Sequence, residues 1–259
     1  MEKMQIEERL KKLSGLREEK GRDEEALLMA DEVLKEIKEE GAGAKPEAQL
    51  WLEKSLIWQH VYMNERNKGE GGDGGKMEEA KKEMEESIKT AERVMEDGGV
   101  DRGDPVLRID MYLGQAAVER KDYQKAKEAY EKAIEVVKSP TNRLEFKMRL
   151  CEPVIMLGEI KEGVRLAQTT DEEFDMGVGE ELKEKDYITW VIWKSGIWIR
   201  VARSLDKKGE VGEYKDLVIG KLSEMEESLD ESKILTNKWA ENPFKIRLDE
   251  IETLKKKIG

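Results

Sequence analysis

"PVLRIDMYLGQAAVERKDYQKAKEAYEKAIEVVK", residues 105–138, is the stretch whose reading decides the fold. On both sides of "RKD" the apolar residues recur at three-and-four spacing, so it reads as two amphipathic helices joined by a short polar turn. Gly114 on the first helix and Ala126 on the second are twelve residues apart. Two small residues so placed let the helix backbones come close, and Tyr130 then fills the gap to the next pair. Twelve residues also separate Ser14 from Ala26 and Cys151 from Gly163, again on successive predicted helices with a polar turn between them. Recurrence of one spacing is the mark of an internal repeat.

Outward from this stretch the same grammar continues. Leu10, Leu13 and Leu16 lie on a predicted helix at about 3–19, and Ala26, Leu27, Ala30, Val33, Leu34 and Ile37 on one at 23–40. "EEGAGAKPEA" ends the second helix with glycines and opens a third near Pro46. A fourth runs over about 76–97, and Asp104 with Pro105 is expected to cap and begin a fifth. The spacing fails once, where Ser55 is followed by Ala80 twenty-five residues later. The excess is about the length of the glycine-rich segment "NKGEGGDGGK" at 67–76, which therefore reads as an insertion within one pair.

Leu113, Gly114, Ala126, Tyr130 and Ala133 stand where the tetratricopeptide repeat carries its Leu-Gly, small, aromatic and small positions, and the chain resembles that family. Asp110 departs from the pattern, replacing a large aromatic, and Lys138 replaces a proline. The resemblance implies an all-α fold, a right-handed superhelical stack of antiparallel helix pairs at about 7–40, 46–98, 105–139, 142–170 and 183–230. Residues 231–259 are expected to form C-terminal capping helices, broken at Asn242-Pro243.

Composition agrees with helices. Charged residues make up 41% of the chain and hydrophobic residues 38%, so apolar side chains must be confined to narrow stripes, as on amphipathic helices. A net charge of −12 argues against nucleic acid as a partner, because phosphate neutralisation needs a basic surface. "MEKMQIEERL" lacks the apolar segment of a signal peptide, and no run of about 18 apolar residues exists, so we expect a soluble cytoplasmic protein without membrane contact. A lone cysteine suits a reducing compartment.

Few residues invite chemistry. A phosphate-binding loop needs its first glycine where Glu70 stands and a Ser or Thr where Met77 stands, so the glycine segment reads as a linker. His60 is the only histidine and has no companion ligands at metal spacing. Cys151 occupies a small-residue packing position. The acidic runs "TTDEEFD" and "DGGVDRGD" lack the ligand order of a calcium loop. Trp190, Trp193 and Trp198 could be core or an exposed anchor patch. No catalytic residue, metal or cofactor is expected.

The resemblance implies a concave groove lined by the first helix of each pair, and helical phase selects its candidates: Lys11 and Lys12; Leu52, Leu56 and Gln59; Arg108, Met111, Gln115 and Val118; Met148 and Glu152. The asparagines of the family's carboxylate-gripping members are missing. The expectation is a non-catalytic scaffold or adaptor that binds a peptide or helical segment of another protein. A sensor of a peptide or small molecule, or a helical subunit of an enzyme complex, are the alternatives.

Overall fold

The computed structural model describes residues 2–19, 21–68, 71–229 and 241–259. Among them there is no strand. The α-helices are α1 (Glu2–Arg17), α2 (Asp23–Glu40), α3 (Ala44–Asn67), α4 (Gly74–Asp97), α5 (Ile109–Glu119), α6 (Tyr123–Val136), α7 (Pro140–Met156), α8 (Ile160–Glu173), α9 (Val178–Lys185), α10 (Tyr187–Lys208), α11 (Lys215–Ser228) and α12 (Glu241–Ile258). The first of the two expected capping helices falls on 230–240, outside the described residues. None of the described helices is long and apolar enough to cross a membrane. The chain divides into two compact units, Met1–Ala116 and Ala117–Gly259.

In the first unit, α1, α2 and α3 share a core of Ile6, Leu10, Leu13, Ala26, Ala30, Val33, Ile37, Leu50 and Ile57. α3 packs on α1 as well as on α2 and α4. The long α3–α4 hairpin explains the failed spacing. Only residues 68–73 connect the two helices; the rest of the apparent insertion is helix, because Asp73 caps α4 by accepting from the Lys76 amide at 3.1 Å. Further along, Asp104 Oδ1 accepts from the amides of Val106 (2.9 Å) and Leu107 (3.3 Å), which makes a turn rather than the expected helix start. Arg108 follows at φ 47°, a left-handed conformation that interrupts any helix, and α5 begins after it.

In the second unit, α7, α8, α10, α11 and α12 enclose one core that contains Cys151, Ile155, Phe174, Trp190, Trp198, Leu222 and Ile251. α10 is the centre, packing on α7, α8, α9, α11 and α12. Its run "WVIWKSGIWIRVARSL" is apolar nearly all round, as a helix surrounded by neighbours requires. α7 and α8 approach closely where the twelve-residue spacing places Cys151 and Gly163. A β-carbon on Gly163 would lie 2.4 Å from Ile155 Cγ1 and 3.3 Å from the Cys151 carbonyl oxygen. Only glycine fits there.

Candidate functional site

The groove candidates do not form one accessible surface. Lys11 and Lys12 are exposed, and Leu56, Gln59, Arg108, Gln115, Val118 and Glu152 are half-buried. Leu52, Met111 and Met148, in contrast, are core residues. The reason is lateral crowding. α3 is packed by three helices, so Leu52 meets protein where helical phase alone promised solvent. On α7, Met148 points at α10; its sulfur lies 3.3 Å from where a β-carbon of Gly196 would stand.

The residues singled out for chemistry have structural partners. His60 Nδ1 lies 3.1 Å from the Arg17 carbonyl oxygen. Cys151 is buried with its thiol pushed up to about 12 by that burial, which keeps it protonated and unreactive at neutral pH. Trp190 is buried and donates to the Phe174 carbonyl at 2.8 Å; Trp198 is fully buried; Trp193 packs against the same core. The tryptophans are therefore core rather than an exposed patch. Asp171, within "TTDEEFD", belongs to α8 and faces Lys221 at 3.1 Å and Lys194 at 3.6 Å. The glycine segment borders a cleft of about 720 Å³ with Trp58, Val61 and Lys76 among its walls. Its donors are occupied: the Lys76 amide by Asp73, and the Asp73 amide (3.2 Å) and Lys68 Nζ (2.7 Å) by the buried Glu65. A phosphate would find few of them free.

The second unit brings together a cluster that no sequence motif announced. Arg200 and Arg203 are one turn apart on α10, Arg149 is on α7 and Arg247 on α12. Arg149 is held by Glu145 on its own helix through two hydrogen bonds of 2.8 and 3.1 Å. A single carboxylate, Glu250, serves both Arg247, at 2.9 Å, and Arg203. Lys207 approaches Glu152 at 3.7 Å. Arg200 differs from all of these. Its Nη1 donates to the Gly196 carbonyl at 2.9 Å, and among the described residues no carboxylate stands within ion-pair distance of it. A β-carbon at Gly196 would lie 2.6 Å from that Nη1 and 3.3 Å from Met148 Sδ, so the guanidinium occupies the space the glycine leaves open beside α7.

Arg200 and Arg247 are both lowered from the usual arginine range, burial being the first cause for each. Burial lowers Arg200 and Arg149 lowers it further; Glu152 and Tyr130 oppose them, and Arg203 adds the least. Burial and the positive charges of Arg200, Arg203 and Arg149 bring Arg247 down to about 9. Both remain cations at neutral pH. Tyr130, buried against the same cluster, is pushed up to about 12 by burial and stays a neutral phenol. Partial exposure persists: the side chains of Arg149 and Arg247 are 19% and 21% accessible, and that of Arg203 is 48% accessible. A largely enclosed guanidinium with no carboxylate partner among the described residues is suited to receiving an anion.

Of the groove candidates only Met148 and Glu152 border this cluster. One signal in the sequence pointed to it: Arg200 and Arg203 interrupt the apolar run of α10, where cations are costly unless something answers their charge. No protein-family model matches the chain, and no curated protein matches it.

Proposed function

We propose that the chain is a non-catalytic adaptor, an irregular tetratricopeptide-like array of right-handed stacked helix pairs, that binds an acidic peptide or helical segment of another protein in the reducing cytoplasm. The observation that carries this reading is Arg200, a largely enclosed guanidinium without a carboxylate partner among the described residues, set among three further arginines from three helices. Supporting it are the packing of α3 on α1 and of α10 on α7 within their units, and the backbone approach at Gly163. Arginine is the residue of choice for planar, two-pronged recognition of carboxylates at interfaces. Glu152, beside Lys207, and Met148, beside Gly196, supply polar and apolar neighbours on the same unit.

Fluorescence anisotropy tests the reading. Degenerate nine-residue peptides with Glu and Asp at alternate positions should bind, and the corresponding Lys and Arg pool should not. Arg200→Gln should weaken the acidic pool at least tenfold. Equal binding of both pools would sink the reading.

A further inference from the structure

We propose that the cleft of the first unit binds an aliphatic polyamine, a ligand with ammonium groups joined by methylene chains. The site is independent of the adaptor reading. It owes its existence to helix packing. α2 and α4 each lie along α3 and do not pack extensively on one another, so a cleft of about 720 Å³ stays open over α3, within the size range of small-ligand sites. α3 contributes Trp58 and Val61 to it, and α2 adds the apolar Leu27. The charged groups of the walls fall into two sets. Asp23 accepts from Asn64 at 3.0 Å, Glu65 is paired with Lys68 at 2.7 Å and Lys76 at 3.8 Å, and Asp73 caps α4. Left over are two exposed carboxylates that form no ion pair among the described residues, Glu24 on α2 and Glu79 on α4. Both wall lysines are turned to Glu65, so a ligand must bring the positive charge itself.

Trp58 points to the same chemistry. Along α3, Trp51 has the Lys54 ammonium 4.9 Å from its ring centroid, and Tyr62 has Arg66 at 5.7 Å and Lys81 at 5.3 Å. Trp58, half-buried in the cleft, has no such cation among the described residues. An indole ring without a cation, beside unpaired carboxylates, favours an ammonium over a neutral or anionic group. Glu24 and Glu79 stand on walls made by different helices, with apolar side chains between them on α3. A polyamine has the matching order of charge, methylene chain and charge. A metal dication would take oxygen ligands and leave Leu27, Trp58 and Val61 unused.

Calorimetric titration of the full chain with spermidine, n-butylamine and magnesium chloride tests the site, in about 0.15 M sodium chloride to screen loose counterion attraction to an acidic surface. Spermidine should bind saturably, one molecule per chain, and equimolar magnesium should not displace it. n-Butylamine, with a single ammonium group, should bind about tenfold or more weakly than spermidine. The double variant Glu24→Gln/Glu79→Gln should weaken spermidine by about tenfold or more. Its control is Glu131→Gln/Glu135→Gln, which removes the same charge from exposed positions of α6 and should leave the affinity unchanged. Trp58→Leu keeps an apolar wall without the ring and should cost roughly three- to fivefold. Circular dichroism shows whether each variant is folded; should Trp58→Leu unfold, the two double variants, altered only at exposed positions, decide the matter. Equal losses in the two double variants overturn the proposal, since the attraction would then be that of the whole acidic surface. Undiminished binding in Glu24→Gln/Glu79→Gln, or in a folded Trp58→Leu, overturns it as well. So do equal affinities for n-butylamine and spermidine, displacement by magnesium, or no saturable binding of spermidine.

Discussion

Arg102 in the first unit and Arg200 in the second are both guanidiniums set among helices, and their surroundings are opposite. Arg102 grips the buried Asp110 with three contacts of 2.6–3.0 Å, reaches Glu92 at 2.6 Å and touches Glu96 at 3.4 Å. Hydrogen bonding to Asp110 raises its already high pKa, as a well-answered cation should show. Arg200 has a backbone carbonyl, and burial, with Arg149 next, lowers its pKa. Elsewhere the two units are alike: in the second, Lys127 pairs with Glu159, Lys147 with Glu173 and Lys255 with Glu226 across helices. In the first, Arg9 bridges to Glu32 and Glu36, and Lys54 to Asp31, so helices are tied by opposite charges. Such pairs are structural. Arg200 is the exception, a guanidinium without a carboxylate partner among the described residues.

The contrast can be broken by mutation. The largest effect is expected for Arg102→Met, which strips Asp110 and Glu92 of the guanidinium they share; equilibrium denaturation should register a loss of about 3–5 kcal/mol, as for removing one member of a buried pair. A loss under 1 kcal/mol would mean that Arg102 is not structural. The alkaline limb comes next. Cys151 ionises near 9 when unfolded and at about 12 when folded, so the folded state retains a proton that the unfolded state releases between those values. This thiol's contribution to stability is complete below pH 9 and is lost as pH rises towards 12. Relative to Cys151→Ala, wild type should lose on the order of 2 kcal/mol by pH 10.5, read from denaturation midpoints across pH. Parallel pH profiles would show that the thiol is not deeply buried.

Gly163→Ala should then cost about 1–3 kcal/mol, because its β-carbon collides with Ile155 and nears the Cys151 carbonyl. Gly15→Ala in α1 is the matched control. Nothing lies within 4 Å of the added carbon, so the better helix former should raise stability by about 0.5–1 kcal/mol. Similar melting temperatures for the two variants would remove the argument for close backbone approach.

Much of the helix order was legible because apolar periodicity is local. α2, α4 and α6 lie within a few residues of where Ala26, Ala80 and Ala126 placed them. The twelve-residue interval also located a close approach at Gly163, since backbone proximity restricts residue size and residue size is written in the sequence. Asp110, the departure from the repeat pattern, acquires its reason only with Arg102 eight residues earlier folded onto it. The start of α5 was misread because Asp104 can either cap a helix or close a turn, and Arg108 in the left-handed region decides for the turn. Leu52, Met111 and Met148 were misplaced for another reason: phase tells which face a residue is on, and not how many neighbours cover that face. The arginine cluster was the least legible feature. Arg149, Arg200 and Arg247 are separated by about a hundred residues end to end, and only the packing of α7 and α12 on α10 gathers them.

The unanswered charge of Arg200 is tested most directly by the thermal stability of Arg200→Met in buffer free of phosphate and sulfate. A largely enclosed guanidinium without a carboxylate partner opposes folding, so replacing it with a neutral side chain of similar length should leave the melting temperature unchanged or raise it. A fall of several degrees in the anion-free buffer would show that Arg200 is as well answered as Arg102, and would contradict the account.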